Sequence, residues 1–82
     1  MSHVKDLVEV IARALADHPD GIRVSEREHR DTIRIEVTSE PGDLGKLIGR
    51  HGRTAASVRT LARAGADRDG LRATVDFLDS VE

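Results

Sequence analysis

"LIGRHGRTAASVRT", residues 47–60, joins two apolar runs through Gly49 and Gly52 and sets Arg50, His51, Arg53 and Arg59 around the junction. Upstream, "EPGDLGKLIG" offers Pro41 for a helix start and places Leu44, Leu47 and Ile48 on one helical face, which predicts a short helix of two turns ending at Gly49. Downstream, Ala55, Val58, Leu61 and Ala62 share a face. A second helix is therefore predicted from Arg53 or Thr54, burying those four and closing at Gly65 as its C-terminal cap. The turn between the helices is only "GRHG", Gly49 to Gly52. Glycine at its ends permits positive φ and a close approach of another backbone. The second helix presents its free N–H groups and positive dipole end at the same spot, a setting that favours a phosphate.

Working outward, Val4, Leu7, Val8, Ile11 and Leu15 recur at helical spacing, so residues 3–17 read as an amphipathic helix stopped by "HPDG". "IRVSERE" and "TIRIEVTS" alternate apolar and polar residues and are separated by "HRD", the pattern of a β-hairpin. "LRATVDFL" points Leu71, Ala73, Val75 and Phe77 to one face and gives a last strand. The order is α-β-β-α-α-β in one domain over residues 1–82. A crossover through two helices makes the second and third strands parallel. The expectation is an α+β fold, a three-stranded mixed sheet with three helices on one face and an open, solvated face of alternating arginines and glutamates.

Charge is distributed unevenly. Residues 44–66 hold Lys46, Arg50, Arg53, Arg59 and Arg63 and no acid, a charge of +5, which leaves eight basic and all fifteen acidic side chains, −7, for the rest of a chain of net charge −2. An acidic protein with its positive charge in one window has the footprint of an anion binder. The same window also fits a solvated helix face, or a module whose basic helix docks on an acidic partner. Elsewhere Arg23, Arg27, Arg30, Arg34 and Arg72 interleave with Glu26, Glu28, Asp31, Glu36 and Asp76, as on ordinary exposed strand faces.

Other classes are disfavoured. The chain has no cysteine, which removes disulfides, thiolate metal sites and cysteine nucleophiles, and His3, His18 and His29 have no partner at metal-ligand spacing. No cofactor is expected. "GDLGKLIGRHG" matches neither a P-loop nor a dinucleotide fingerprint, and no nucleophile elbow is present, so catalysis is not expected. No stretch approaches the roughly 20 apolar residues of a membrane span, and the N-terminal "MSHVKDLVEVIARAL" mixes acids into its apolar pattern, unlike a signal peptide. A cytoplasmic protein is expected. With one phenylalanine and no tyrosine or tryptophan, any ligand must be held with little aromatic stacking.

"IGRHGRT", preceded by "GKL" and followed by "AASVRTL", resembles the I-G-x-x-G signature of KH domains, and the element order is that of their type II class. In length and layout the whole chain is similar to the small bacterial single-KH proteins of the KhpA (YlqC) family. The resemblance implies a non-catalytic protein that binds single-stranded RNA, as a chaperone or post-transcriptional regulator. By the motif, Gly49, Arg50, His51 and Gly52 form the clamp loop and Ile48 lies at the base of an apolar groove for bases. Lys46 and Arg53 match flanking basic positions, and Thr54 matches the start of the next helix. The resemblance further implies a homodimer, or a heterodimer with a KhpB (Jag)-type KH protein. The alanines of the last helix, Ala55, Ala56, Ala62 and Ala64, would let another helix approach closely, although alanine is also the best helix former.

Overall fold

A computed structural model describes residues 3–79. Its elements are α1 (His3–Leu15), β1 (Arg23–His29), β2 (Thr32–Ser39), α2 (Pro41–Ile48), α3 (Arg53–Asp67) and β3 (Arg72–Asp79), with single 3-10 turns at Pro19–Gly21 and Arg50–Gly52. The strands lie in the order β1-β2-β3, with β1 antiparallel and β3 parallel to the central β2. The α+β layout read from the sequence is the one observed.

Strand periodicity builds the core. Ile33, Ile35 and Val37 of β2 stand in register with Ala73, Val75 and Phe77 of β3, and all but the half-buried Phe77 are buried. Against this layer pack Val4, Val8 and Ala12 of α1, Leu47 of α2, and Val58, Ala62 and Ala66 of α3. The core is narrower than the apolar periodicity predicts. Leu7, Leu15 and, in particular, Leu61, at 49% exposure, stay in solvent, and alanines at positions 12, 62 and 66 take the places facing the sheet. Small side chains there let the helices lie close to a three-stranded surface that could not cover larger ones.

Two boundaries differ from expectation for identifiable reasons. The helix α3 runs through Gly65 to Asp67. A Cβ on Gly65 would sit 3.3 Å from Val4 Cγ2, so this glycine serves the crossing of α1 over α3. The cap is Gly70, in the left-handed region at φ 72°: its N–H donates to Asp67 O (3.0 Å) and that of Leu71 to Ala66 O (2.9 Å), a Schellman motif. At the other boundary, α1 ends at Leu15, two residues early. The backbone N–H groups of Asp17 and His18 donate to the two carboxylate oxygens of Asp43, at 3.1 and 2.8 Å, and His18 Nδ1 lies 3.2 Å from one of them.

Asp43 is 1% exposed and sits in the first turn of α2, where a carboxylate also complements the helix dipole. It fastens the end of α1 to the start of α2. Asp43→Ala leaves two backbone donors without partners and is expected to cost about 2–3 kcal/mol. Asp43→Asn, which keeps one acceptor, should lose less; urea unfolding followed by circular dichroism checks the order.

Candidate nucleic-acid interface

The glycine-flanked turn is built by two different constraints. At Gly49 the backbone has φ 77° and ψ 171°, a region open essentially to glycine alone, while its N–H donates to Gly45 O (2.8 Å) to finish α2. A Cβ at this position would overlap Thr54 Oγ1 and Cβ. Position 49 therefore has neither the torsion nor the space for a side chain. Gly52 differs: its φ of 71° and ψ of 14° are left-handed helical, and a Cβ there would meet nothing within 4 Å. His51, between them, is also left-handed at φ 57°, a conformation that histidine adopts more readily than most residues.

This backbone aims the predicted residues. Arg50, His51 and Arg53 are exposed, with no carboxylate partner among the described residues. Behind them α3 starts without a side-chain cap and with no acid in its first turn, so its positive end faces solvent unneutralised. Thr54 is half-buried beneath Gly49, and Ile48 is half-buried at the end of α2. Lys46 is not gathered into this group: its ammonium pairs with Asp17 at the end of α1. Both partners of that pair are exposed, a setting in which an ion pair contributes about 0–1 kcal/mol.

Another basic residue of α3, Arg59, is held against the last strand. Arg59 Nε donates to Val75 O (3.0 Å), and its guanidinium lies 5.4 Å from the ring centroid of Phe77, the chain's only aromatic residue. Arg59 is thus pinned along the free edge of β3, where with Arg63, Thr74 and Asp76 it lines a concavity of about 190 Å³ between α3 and β3. Sixteen and eighteen residues separate these partners, and no local pattern pairs them. Among the described residues no group of three His, Asp or Glu side chains could hold a metal ion, and no helix is long and apolar enough to cross a membrane.

The two glycines are expected to respond differently to substitution. Gly52→Ala costs about 1–2 kcal/mol for its left-handed backbone, and Gly52→Asn recovers most of that. Gly49→Ala is expected to cost more than either, because Thr54 must also move. Thermal unfolding of the three variants checks the ranking.

Known proteins match this chain along nearly its whole length. In fold, the chain is similar to the Era protein crystallised with MgGDPNP and nucleotides 1506–1542 of 16S ribosomal RNA, with a TM-score of 0.68 and 19% identity over 96% of this chain and 30% of that one. In sequence, it is 45% identical over 76 residues to the RNA-binding protein KhpA of Halalkalibacterium halodurans, covering 93% of this chain and all of the relative. The corresponding protein of Mycobacterium tuberculosis is 46% identical over 77 residues, covering 94% and 92%. That of Aquifex aeolicus is 40% identical over 79 residues, covering 96% and 100%. The sequence pattern of the family described as KhpA/KhpB, KH domain, spans residues 5–77, from the first helix into the last strand, and the chain belongs to that family.

Proposed function

We propose that this chain is a single KH unit, without catalytic activity, that binds single-stranded RNA and clamps the backbone of about four nucleotides over Gly49–Gly52. The observation that carries this reading is the turn itself: His51 on a left-handed backbone, with Arg50 and Arg53 exposed on either side of it, above a helix end with no side-chain cap and no acid. A phosphodiester fits that combination of fixed dipole and mobile cations. The naming of the relatives as RNA-binding proteins supports it. Arg50, His51 and Arg53 contact phosphates, Ile48 and the α3–β3 concavity face the bases, and Thr54 holds the loop. Lys46 joins when RNA displaces its exposed pairing with Asp17. An RNA chaperone or regulator in the cytoplasm is the role consistent with short, weakly sequence-selective binding.

Without aromatic platforms for stacking, one domain binds modestly, and pairing of domains supplies avidity. The outer surface of the helical layer is suited to it. Leu7 and Val10 of α1 and Leu61 of α3 are exposed, and Leu61 lines a shallow concavity with the small residues Ala56, Ser57 and Thr60. A second copy, or a KhpB-type KH protein, packs on this face. Leu61→Asp is then expected to shift the sedimentation coefficient from dimer to monomer without loss of helix content.

RNA binding is tested by fluorescence anisotropy of a labelled single-stranded pool. Arg50→Asp/His51→Asp, folded like the parent by circular dichroism, is expected to lose about tenfold or more in affinity. For about three to five phosphates neutralised, the parent's log–log salt slope is expected at roughly −2 to −3.5. Equal binding by both proteins, or a slope near zero, would assign the basic window to an acidic protein partner instead.

A further inference from the structure

The open face of the sheet carries a second concentration of positive charge. In sequence, the hairpin's arginines and glutamates alternate; in the structure, strand periodicity turns Glu26 and Glu28 away from the arginines and leaves Glu36 on their face. Arg23, Arg27 and His29 of β1 stand in register with Thr38, Arg34 and Thr32 of β2, on the face away from the helices. Glu26 and Glu28 stand in register with Ile35 and Ile33, on the other side of the same strand. From β3, Arg72 and Thr74 complete the open face beside Thr32 and Arg34. The acids on or beside this face are Glu36, in register with Ser25 and Asp76, Asp76 itself, and Asp31 at the turn, against Arg23, Arg27, Arg30, Arg34 and Arg72.

Three features mark the corner as more than a solvated strand surface. Arg27 lies directly opposite Arg34 across the antiparallel pair, an arrangement of like charges that weakens a sheet. Arg34 has a counter-charge in Asp76 at 3.7 Å, but Arg27 has no ion-pair partner among the described residues. The hairpin turn puts a third cation, Arg30, at φ 58°, where glycine or asparagine would be less strained. Together with His29, Thr74 and Asp76, these three arginines line a concavity of about 780 Å³. Thr74 and Asp76 also line the concavity between α3 and β3, so the two hollows meet across the edge strand.

We infer that the open sheet face is a second phosphate-binding surface, which takes the backbone of the RNA strand as it leaves the loop and passes over the β3 edge. The inference rests on the RNA-binding reading of the glycine-flanked turn. Adjacent strands are about 4.8 Å apart, so Arg34 lies about 5 Å and Arg27 about 10 Å beyond β3, a span that a few additional nucleotides cover. The chemistry recognised is a run of phosphodiesters without base specificity: the surface has arginines on adjacent strands and no phenylalanine, tyrosine or tryptophan.

The test compares two single-stranded RNAs, one of about five nucleotides, which fills only the loop clamp, and one of about twenty, which reaches the open face. Arg27→Gln/Arg34→Gln is expected to weaken the long RNA several-fold and flatten its salt slope by about 1.4, the contribution of two phosphates. The short RNA should bind as before, and the unfolding temperature should change little, because the substitution removes a like-charge pair together with the exposed Arg34–Asp76 ion pair. Arg30→Asn should give the same length-selective loss with a fold at least as stable. Unchanged binding of the long RNA by both variants would overturn the inference while leaving the loop clamp in place, as would equal losses for both lengths. Competition by polyglutamate but not by RNA would reassign the face to an acidic protein. A parent that binds neither RNA would refute the loop clamp itself and this surface with it.

Discussion

Position 49 has room for a hydrogen atom and no more. Thr54 occupies the volume where a side chain would stand, and the torsions at Gly49 lie outside what an L-residue adopts without strain. From that exclusion follow the four-residue reversal between α2 and α3, the outward display of Arg50, His51 and Arg53, and the burial of the helix faces behind them. A longer or looser turn would satisfy the chain's connectivity but would let the first turn of α3 pull back from the loop. Dipole and side-chain charges would then no longer act at one point. The cost of holding left-handed conformations in succession is met by a core in which three helices and a sheet lock the ends of the turn.

That core is economical in side-chain volume. A three-stranded sheet presents few apolar positions, and the three helices cover them with valines, alanines and the one buried leucine, Leu47, leaving Leu61 and Leu7 outside. Polar groups carry some of the cohesion that bulk would supply in a larger domain. Asp43 holds two backbone donors at the end of α1, and Arg59 bridges α3 to β3 through a carbonyl and a ring. Such contacts fix relative orientation more sharply than apolar contacts, which are non-directional. The orientation fixed here is that of α3 against the edge strand, the two walls of the groove.

The order and type of every element were legible in the sequence because each follows from local spacing: three- and four-residue repeats for the helices, alternation for the strands, and Pro41 at a helix start. The glycine-flanked loop was legible for the same reason. Periodicity cannot tell a packing glycine from a capping one, so it places at Gly65 the stop that Gly70 provides. Nor could it tell which apolar stripe positions face the sheet, hence Leu61 in place of Ala66. The partners of Asp43, Lys46 and Arg59 lie 16 to 29 residues away in sequence, beyond any local pattern. The separation of Glu26 and Glu28 from the hairpin's arginines is implicit in a period of two, but only the register brings Arg27 opposite Arg34 and Arg72 beside Thr32.

The bond from Arg59 to the Val75 carbonyl has a consequence for assembly. An edge strand offers a row of unpaired donors and acceptors, a template on which another extended chain can add. In β3 one of those acceptors is already taken by a guanidinium that lies across the edge, and the strand that would add there meets the side chain first. The opposite edge, β1, alternates arginine with glutamate and closes in a strained arginine turn. Neither margin of the sheet invites continuation into a second molecule's sheet. Growth by strand addition is discouraged, and the groove beside β3 stays open to a ligand that needs no backbone ladder to bind.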